Sequence, residues 1–444
     1  MFNTGKDSTD KSFRDSLLDR FLRYIQIDTV SIDDQETVPS SPEQWTFANM
    51  LVEDLHKLGI GDAFVDRHCT VYAHIPATPG MEDRPALGLI AHMDTVENGH
   101  GIRPRVIENY DGGDVRLESG LQLTAKDFPG LPALRGRTLI VSDGTTILGA
   151  DDKAGLTAIM GLAELLMKND SLLSSGADKP AQSGKTDLLP DWNEIFPHGR
   201  ICIAFTPDEE VGTGVLKFDL GAFGADYAVT VDGGEENIIE AENFYACSAD
   251  ITARGVQAHP GSAKGIMINA AAALAKFHTL LPADEVPEQT EDRQGFYHLL
   301  ELSGDVENAS AHYIIRDFDP DSFEHRKQTI LESVSAVNRT LGREVLTAQI
   351  KDSYRNMAEI MKNHPAFLRE IEEAIRRAGM QPSYLPIRGG TDGARLTFQG
   401  LPCPNLGAGA YGFHGLTEHC TAEGMENAAR VLLSLIRIFA EKNN

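Results

Sequence analysis

Five short stretches, four apolar and one glycine-rich, each end in a histidine or a carboxylate, and this restricts the fold more than any bulk property of the chain. Ala86–Ala91 leads to His92-Met93-Asp94, and Leu148-Gly149-Ala150 leads to Asp151-Asp152-Lys153. Ile201–Thr206 leads to Pro207-Asp208-Glu209-Glu210, Tyr227–Val231 to Asp232-Gly233-Gly234, and Gly407–Gly412 to Phe413-His414. A short apolar run with β-branched residues reads as a buried strand. Open α/β sheets bind ligands in the crevice beyond the carboxyl ends of their strands. The pattern therefore predicts two histidines and several carboxylates in one crevice. Mixed imidazole nitrogen and carboxylate oxygen suit a dinuclear site for two divalent metal ions, zinc above all.

The order of elements predicts an α/β catalytic domain with a mixed central sheet, interrupted by an inserted α+β domain. Helices are expected over Pro42–Leu58, with Ser41 as N-cap and Gly59 past the end, and over Asp151–Lys168. Leu172–Asn193, rich in Ser, Gly, Asp and Lys, reads as an exposed insertion. From Phe244 the pattern becomes strand (244–254), helix (266–280), strand (296–302), strand (312–318), helix (322–341), strand (344–352). That βαβ-βαβ order is the signature of a ferredoxin-like unit. After His364-Pro365 a helix runs to Ala378 before the glycine-rich style returns. The expected division is a catalytic domain of residues 1–243 and 362–444, with a ferredoxin-like lid of residues 244–361 inserted.

A site for two cations about 4 Å apart needs a bridging carboxylate and roughly two more protein ligands per ion. Asp151 is the expected bridge, with His92 and Asp232 on one ion and Glu210 and His414 on the other. Asp152 could bridge instead, but an N-cap role is favoured. Asp94, two residues after His92, can accept the second imidazole N–H and fix the tautomer. Of the adjacent pair Glu209 and Glu210, one can bind metal while the other stays free as general base, here Glu209. Glu418 and His419 are read as loop residues near His414.

Composition excludes several classes. The net charge of -26 over 444 residues opposes nucleic acid and anionic membrane partners. No apolar run is long enough to span a bilayer, and the first twenty residues lack the apolar core of a secretory signal. Five scattered cysteines without a CxxC pair fit free thiols in a reducing compartment, so the expectation is cytoplasmic. Gly407–Gly412 fits G-x-G-x-x-G, but no periodic helix follows directly, which argues against a dinucleotide site.

The motifs together resemble the dinuclear zinc exopeptidase superfamily that includes carboxypeptidase G, aminoacylase and the succinyl-diaminopimelate desuccinylases. The likeness lies in Ala91–Thr95, Gly149–Gly155, Thr206–Gly212, Thr230–Gly234 and His259-Pro260-Gly261. Gly112–Leu117, Ser142–Gly149, His312–Asp319 and Arg388–Gly393 resemble its tripeptide aminopeptidases in particular, in order along nearly the whole chain. The resemblance implies metal ligation by His92, Asp151, Glu210, Asp232 and His414. It makes Asp94 and Glu209 the catalytic pair, with Glu209 activating a water shared by two zinc ions. It also implies substrate contacts by His259, which would stabilise the oxyanion, and Arg316, which would hold the peptide carboxylate. Arg388 is a weaker candidate. The implied activity is removal of the N-terminal residue from tripeptides. Related two-zinc carboxypeptidase, dipeptidase or N-acyl amino acid deacylase activities are the alternatives, and a non-catalytic binding protein is the alternative of another class. Exposed faces of a ferredoxin-like insert make a homodimer an expectation too.

Overall fold

Alternating apolar strands and amphipathic helices build two compact units in the computed structural model, which describes residues 4–97, 99–174, 192 and 195–442. One unit comprises residues 1–241, 359–385 and 391–444, and the other residues 242–358 with 386–390. Among the described residues no helix is long and apolar enough to cross a membrane.

The first unit is built on a mixed sheet of eight strands. Their order is Phe64–Val65, Val71–Ile75, Ile201–Thr206, Leu87–His92, Tyr227–Gly233, Asn405–Gly407, Ile238–Glu240 and Ser383–Tyr384. Ile201–Thr206, Leu87–His92, Tyr227–Gly233 and Asn405–Gly407 run parallel. The first two of these are buried along their whole length, as continuous apolar runs in a parallel sheet should be. Their carboxyl ends therefore place His92, Thr206 and Gly233 along one edge.

A second, smaller sheet pairs Ala410–Tyr411, His419–Thr421, Leu139–Val141 and Arg105–Ile107 in that order. Two loops leave it: residues 142–149, which lead to Asp151, and residues 412–418, which carry His414. The register of His419 against Val141 brings the two loops side by side.

Helix Ala150–Ser174 packs on strands Leu87–His92 and Tyr227–Gly233 and on helices Thr4–Tyr24 and Ala422–Glu441. It is buried on nearly every side from Asp152 to Ala163, so its small residues set how closely the layers approach. Gly155 is the tightest point. A Cβ there would lie 1.7 Å from the main-chain oxygen of Val231, the residue before Asp232.

The second unit is a four-stranded antiparallel sheet in the order Phe296–Gly304, Asn308–Asp317, Tyr245–Arg254, Leu346–Tyr354. Helices Ala270–His278 and Pro320–Leu341 contribute Leu274, Phe277, Ile330 and Val337 to its core. Burial alternates along Tyr245–Arg254 and Asn308–Asp317, so one face is packed and the other open. Residues 386–390 join this unit through hydrogen bonds from Ile387 N to Glu242 O (2.8 Å) and from Phe244 N to Ile387 O (3.2 Å).

Element limits differ from the sequence expectation where local polar groups decide them. The helix expected over 266–280 begins at Ala270, because Ile268 exchanges backbone hydrogen bonds with Val256 and the Asn269 side chain caps Ala272 N at 2.9 Å. The helix expected over 42–58 spans Glu43–Lys57 without a side-chain cap. Ser41 Oγ instead accepts from Gln44 Nε2 at 3.1 Å. The helix expected to stop at Lys168 continues to Ser174. The expected insertion over 172–193 thus begins as helix, and apart from Trp192 its remainder lies outside the described residues.

Gly155→Ala is expected to destabilise the protein by about 1–3 kcal/mol, the usual penalty of overpacking. Gly61→Ala, whose Cβ would meet nothing within 4 Å, is expected to be neutral. Thermal melting of the two variants beside the unmodified protein checks the contrast, and equal melting temperatures for all three would remove the close-packing argument.

Candidate functional site

Each strand end delivers its polar side chain to one place because neighbouring backbone groups hold the turns that follow. Asp94 sits just past strand Leu87–His92, and its carboxylate accepts from Glu209 N (3.0 Å) and Glu210 N (3.2 Å). Asp208, at φ 50° in the left-handed region, anchors the same turn from the other side. Its carboxylate accepts from Ser40 N (2.7 Å), Ser40 Oγ (2.6 Å) and Gln44 Nε2 (2.7 Å). Asp232 N donates to Asn405 Oδ1 at 3.0 Å. Asp152 accepts from Gly155 N at 3.1 Å, the favoured N-cap role, and from His92 N at 3.2 Å. The Glu209 and Glu210 side chains are thereby fixed apart although the residues are adjacent.

The five residues expected to bind metal come together in two groups that share Asp151. One group is His92, Asp151 and Asp232, and the other is Asp151, Glu210 and His414. His92 Nε2 lies 2.8 Å from Asp151 Oδ1 and 3.4 Å from Asp232 Oδ1. His414 Nε2 lies 3.3 Å from Asp151 Oδ2 and 3.0 Å from Glu210 Oε2. Ligand atoms about 2.1 Å from a tetrahedral ion sit about 3.4 Å from one another, so both spacings suit a first-row cation. The ring chemistry agrees. His92 Nδ1 faces the main-chain oxygen of Asp94 at 3.0 Å. A carbonyl only accepts, so the proton sits on Nδ1 and the Nε2 lone pair points at two carboxylates. Such an arrangement is repulsive without a positive charge between the partners. Glu210 Oε1 is buried without a hydrogen-bond partner, a further sign of a missing electrophile.

The electrostatics follow from burying these acids together. Burial opposes the charged form of His92, yet Asp232, Asp151 and Asp94 raise its pKa well above the usual imidazole value. Asp151 and Glu210 raise His414 to about 10. Burial raises Glu210 to about 7, with Asp151 adding to it. Burial, then Asp232 and Asp392, raises Glu209 well above the carboxylate range. Burial and the neighbouring Asp151 do the same to Asp232. Burial also disfavours the Asp151 carboxylate, but both histidines hold its pKa below the usual range. Carboxylates outnumber imidazoles, and divalent cations would balance them.

Two features differ from the sequence expectation. The nearer partner of His92 Nδ1 is the Asp94 carbonyl; the Asp94 carboxylate is 3.3 Å away and chiefly ties down the Glu209-Glu210 backbone. Glu418 is more than a loop residue. Its buried carboxylate accepts from Leu148 N, Gly149 N (both 2.7 Å) and Asp151 N (2.9 Å), clamping the loop that presents Asp151. Asp392 was legible only as part of the Arg388–Gly393 motif. It is buried, its N–H donates to Glu209 Oε1 at 3.2 Å, and its Oδ2 has no hydrogen-bond partner.

His259 and Arg316 belong to the second unit. His259 is exposed and accepts from Gly261 N at 3.1 Å. Arg316 donates to Ile315 O at 3.1 Å, with its guanidinium 5.1 Å from the Tyr354 ring. Arg388 is occupied within that unit. Its guanidinium donates to the carbonyls of Asp292 and Gln294 and to Thr290 Oγ1 and lies over Phe244, a role in holding the unit together.

Comparison with known proteins fits this geometry. Residues 187–438 match the family model described as Peptidase family M20/M25/M40. A relative from Escherichia fergusonii named peptidase T is 44% identical over 435 residues, covering 97% of this chain and all of the relative. Among solved structures, the aminopeptidase PepT from Bacillus cereus superposes with a TM-score of 0.72 at 20% identity, over 96% of this chain and 99% of that one. A tripeptidase from Staphylococcus aureus does so with 0.72 at 21% identity, over 97% and 99%. The family match spans more than half of the chain and the peptidase T likeness nearly all of it, so this chain belongs to peptidase family M20/M25/M40, among the relatives named peptidase T.

Proposed function

We propose that the protein is a two-metal aminopeptidase that releases the N-terminal residue of tripeptides. The observation that carries this reading is the Asp151 carboxylate shared between His92 with Asp232 and Glu210 with His414, with Glu209 held free beside them. The near-full-length identity to a peptidase T supports the substrate class, and so does the likeness to a tripeptidase.

In this reading His92, Asp151, Asp232, Glu210 and His414 hold two zinc ions. A donor set of imidazole and carboxylate suits zinc, and the five cysteines are buried and free elsewhere. When bound, the cations supply Lewis acidity that polarises the scissile carbonyl and makes the attacking water acidic. Glu209 takes a proton from that water as the new C–O bond forms. It then delivers the proton to the leaving nitrogen as the C–N bond breaks. Its buried, acid-crowded setting favours the protonated form, as the second transfer requires. Asp94 orients His92 and the backbone of Glu209 and Glu210. Arg316 holds the peptide carboxylate through its fork of donors, and His259 stabilises the oxyanion. The inserted unit, from about residue 244 to 361, serves as a lid. The five free cysteines support a cytoplasmic setting.

Purified protein is expected to hydrolyse a tripeptide with a free amino terminus and to leave its N-acetylated form intact. Preference for N-acetyl amino acids or dipeptides would replace this reading with the related activities. Glu209→Gln is expected to lower kcat at least ~10³-fold while metal content stays near that of the unmodified protein; turnover within tenfold of normal would remove Glu209 from the mechanism. Chelation is expected to abolish hydrolysis and lower the melting temperature, because cations that bind only the folded state stabilise it. An unchanged melting curve after complete metal removal would contradict the ligand assignment.

A further inference from the structure

A cavity of about 480 Å³ adjoins the cluster within the first unit and has no role in the account above. Chain connectivity fixes its place. Gly234 and Glu235 in its wall follow Asp232 by two and three residues, Phe413 immediately precedes His414, and His419 follows the Glu418 clamp. Consecutive Cα atoms lie about 3.8 Å apart, so the cavity opens within a few ångströms of both metal groups. Phe128, Leu131, Leu134 and Phe413 give it an apolar wall. The Phe128 ring sits edge-on to His419 (5.2 Å), which is itself stacked on Tyr411 (5.3 Å), so that wall is built from interlocked rings. Asp127 and Glu235 are exposed at its margin, and Glu240, half-buried, accepts from Asn405 Nδ2 at 2.6 Å. Among the described residues that line it there is no lysine or arginine.

We propose that this cavity is the specificity pocket for the side chain of the substrate's N-terminal residue, and that it selects large apolar side chains. The inference rests on the aminopeptidase reading. Its volume and apolar wall suit a leucine-to-phenylalanine-sized group. The charge of its margin decides which end of the peptide it serves. Acidic side chains without a cationic partner in the wall attract a free ammonium and repel a terminal carboxylate. The amino end thus lies at the acidic margin, with its side chain in the apolar wall and its carbonyl at the metal cluster.

Two glycines allow the pocket to be narrowed. Gly130 has helical φ and ψ (−74°, −16°), and a Cβ there would meet only Glu235 Oε1, at 3.5 Å. A Cβ on Gly234 would meet only the main-chain oxygen of Ala410, at 3.8 Å, and its φ is not positive. The test is kcat/KM of the metal-loaded protein on Phe-Gly-Gly, Ala-Gly-Gly, Gly-Phe-Gly and Gly-Gly-Phe. The unmodified protein is expected to favour Phe-Gly-Gly over Ala-Gly-Gly by about tenfold or more, with less discrimination at the other two positions. Gly130→Leu, and to a smaller degree Gly234→Ala, are expected to collapse that ratio. A ratio near one in the unmodified protein, or one that both folded variants leave unchanged, overturns the pocket while hydrolysis itself upholds the aminopeptidase reading. Absence of hydrolysis of every tripeptide overturns both.

Discussion

Like charges buried at the ends of parallel strands are the constraint on which the rest of this protein depends. Asp151, Glu210, Asp232 and Glu209 are all drawn out of bulk water around two imidazoles. Without cations the cluster offsets its repulsion only by holding protons, which is why the acids other than Asp151 and both histidines are pushed toward their protonated forms. A metal pair replaces those protons and leaves the same side chains as ligands. The instability of the cluster without cations and its capacity for chemistry thus have one origin.

Such a cluster holds its shape because each member is tied by backbone hydrogen bonds outside it. Glu418 fixes the approach to Asp151, Asp94 and Asp208 hold the Glu209-Glu210 turn, and Asn405 receives Asp232 N while its own amide donates to Glu240. These supports come from distant parts of the chain. Preorganised ligands lose little freedom when a cation arrives, and a general base held at a set distance needs no reorganisation during the reaction. The Phe128 wall and the loop bearing His414 flank the small sheet that carries Leu139–Val141, so recognition and ligation share one support.

Much of the fold was legible in the chain. The buried strands 87–92 and 201–206 announced themselves as continuous apolar runs, and residues 244–352 by the change to a βαβ-βαβ pattern. Element ends were less legible, since Asn269 and the backbone of Ile268 set the start of one helix by bonds invisible to periodicity. Asp392 and Glu418 were legible as acids but not as supports, because what distinguishes them is burial and the direction of neighbouring N–H groups.

By itself the sequence determined which residue types stand at the strand ends, since their order and spacing along the chain are chemical facts independent of folding. Those types already implied a mixed imidazole and carboxylate donor set. Only the tertiary structure decided that Asp151 faces both His92 and His414, that Asp94 spends its carboxylate on the Glu209-Glu210 backbone, and that Phe128 stands beside His419. The reason is that these relations join segments tens to hundreds of residues apart. Sheet register and layer packing set the separations there, and no local propensity encodes them.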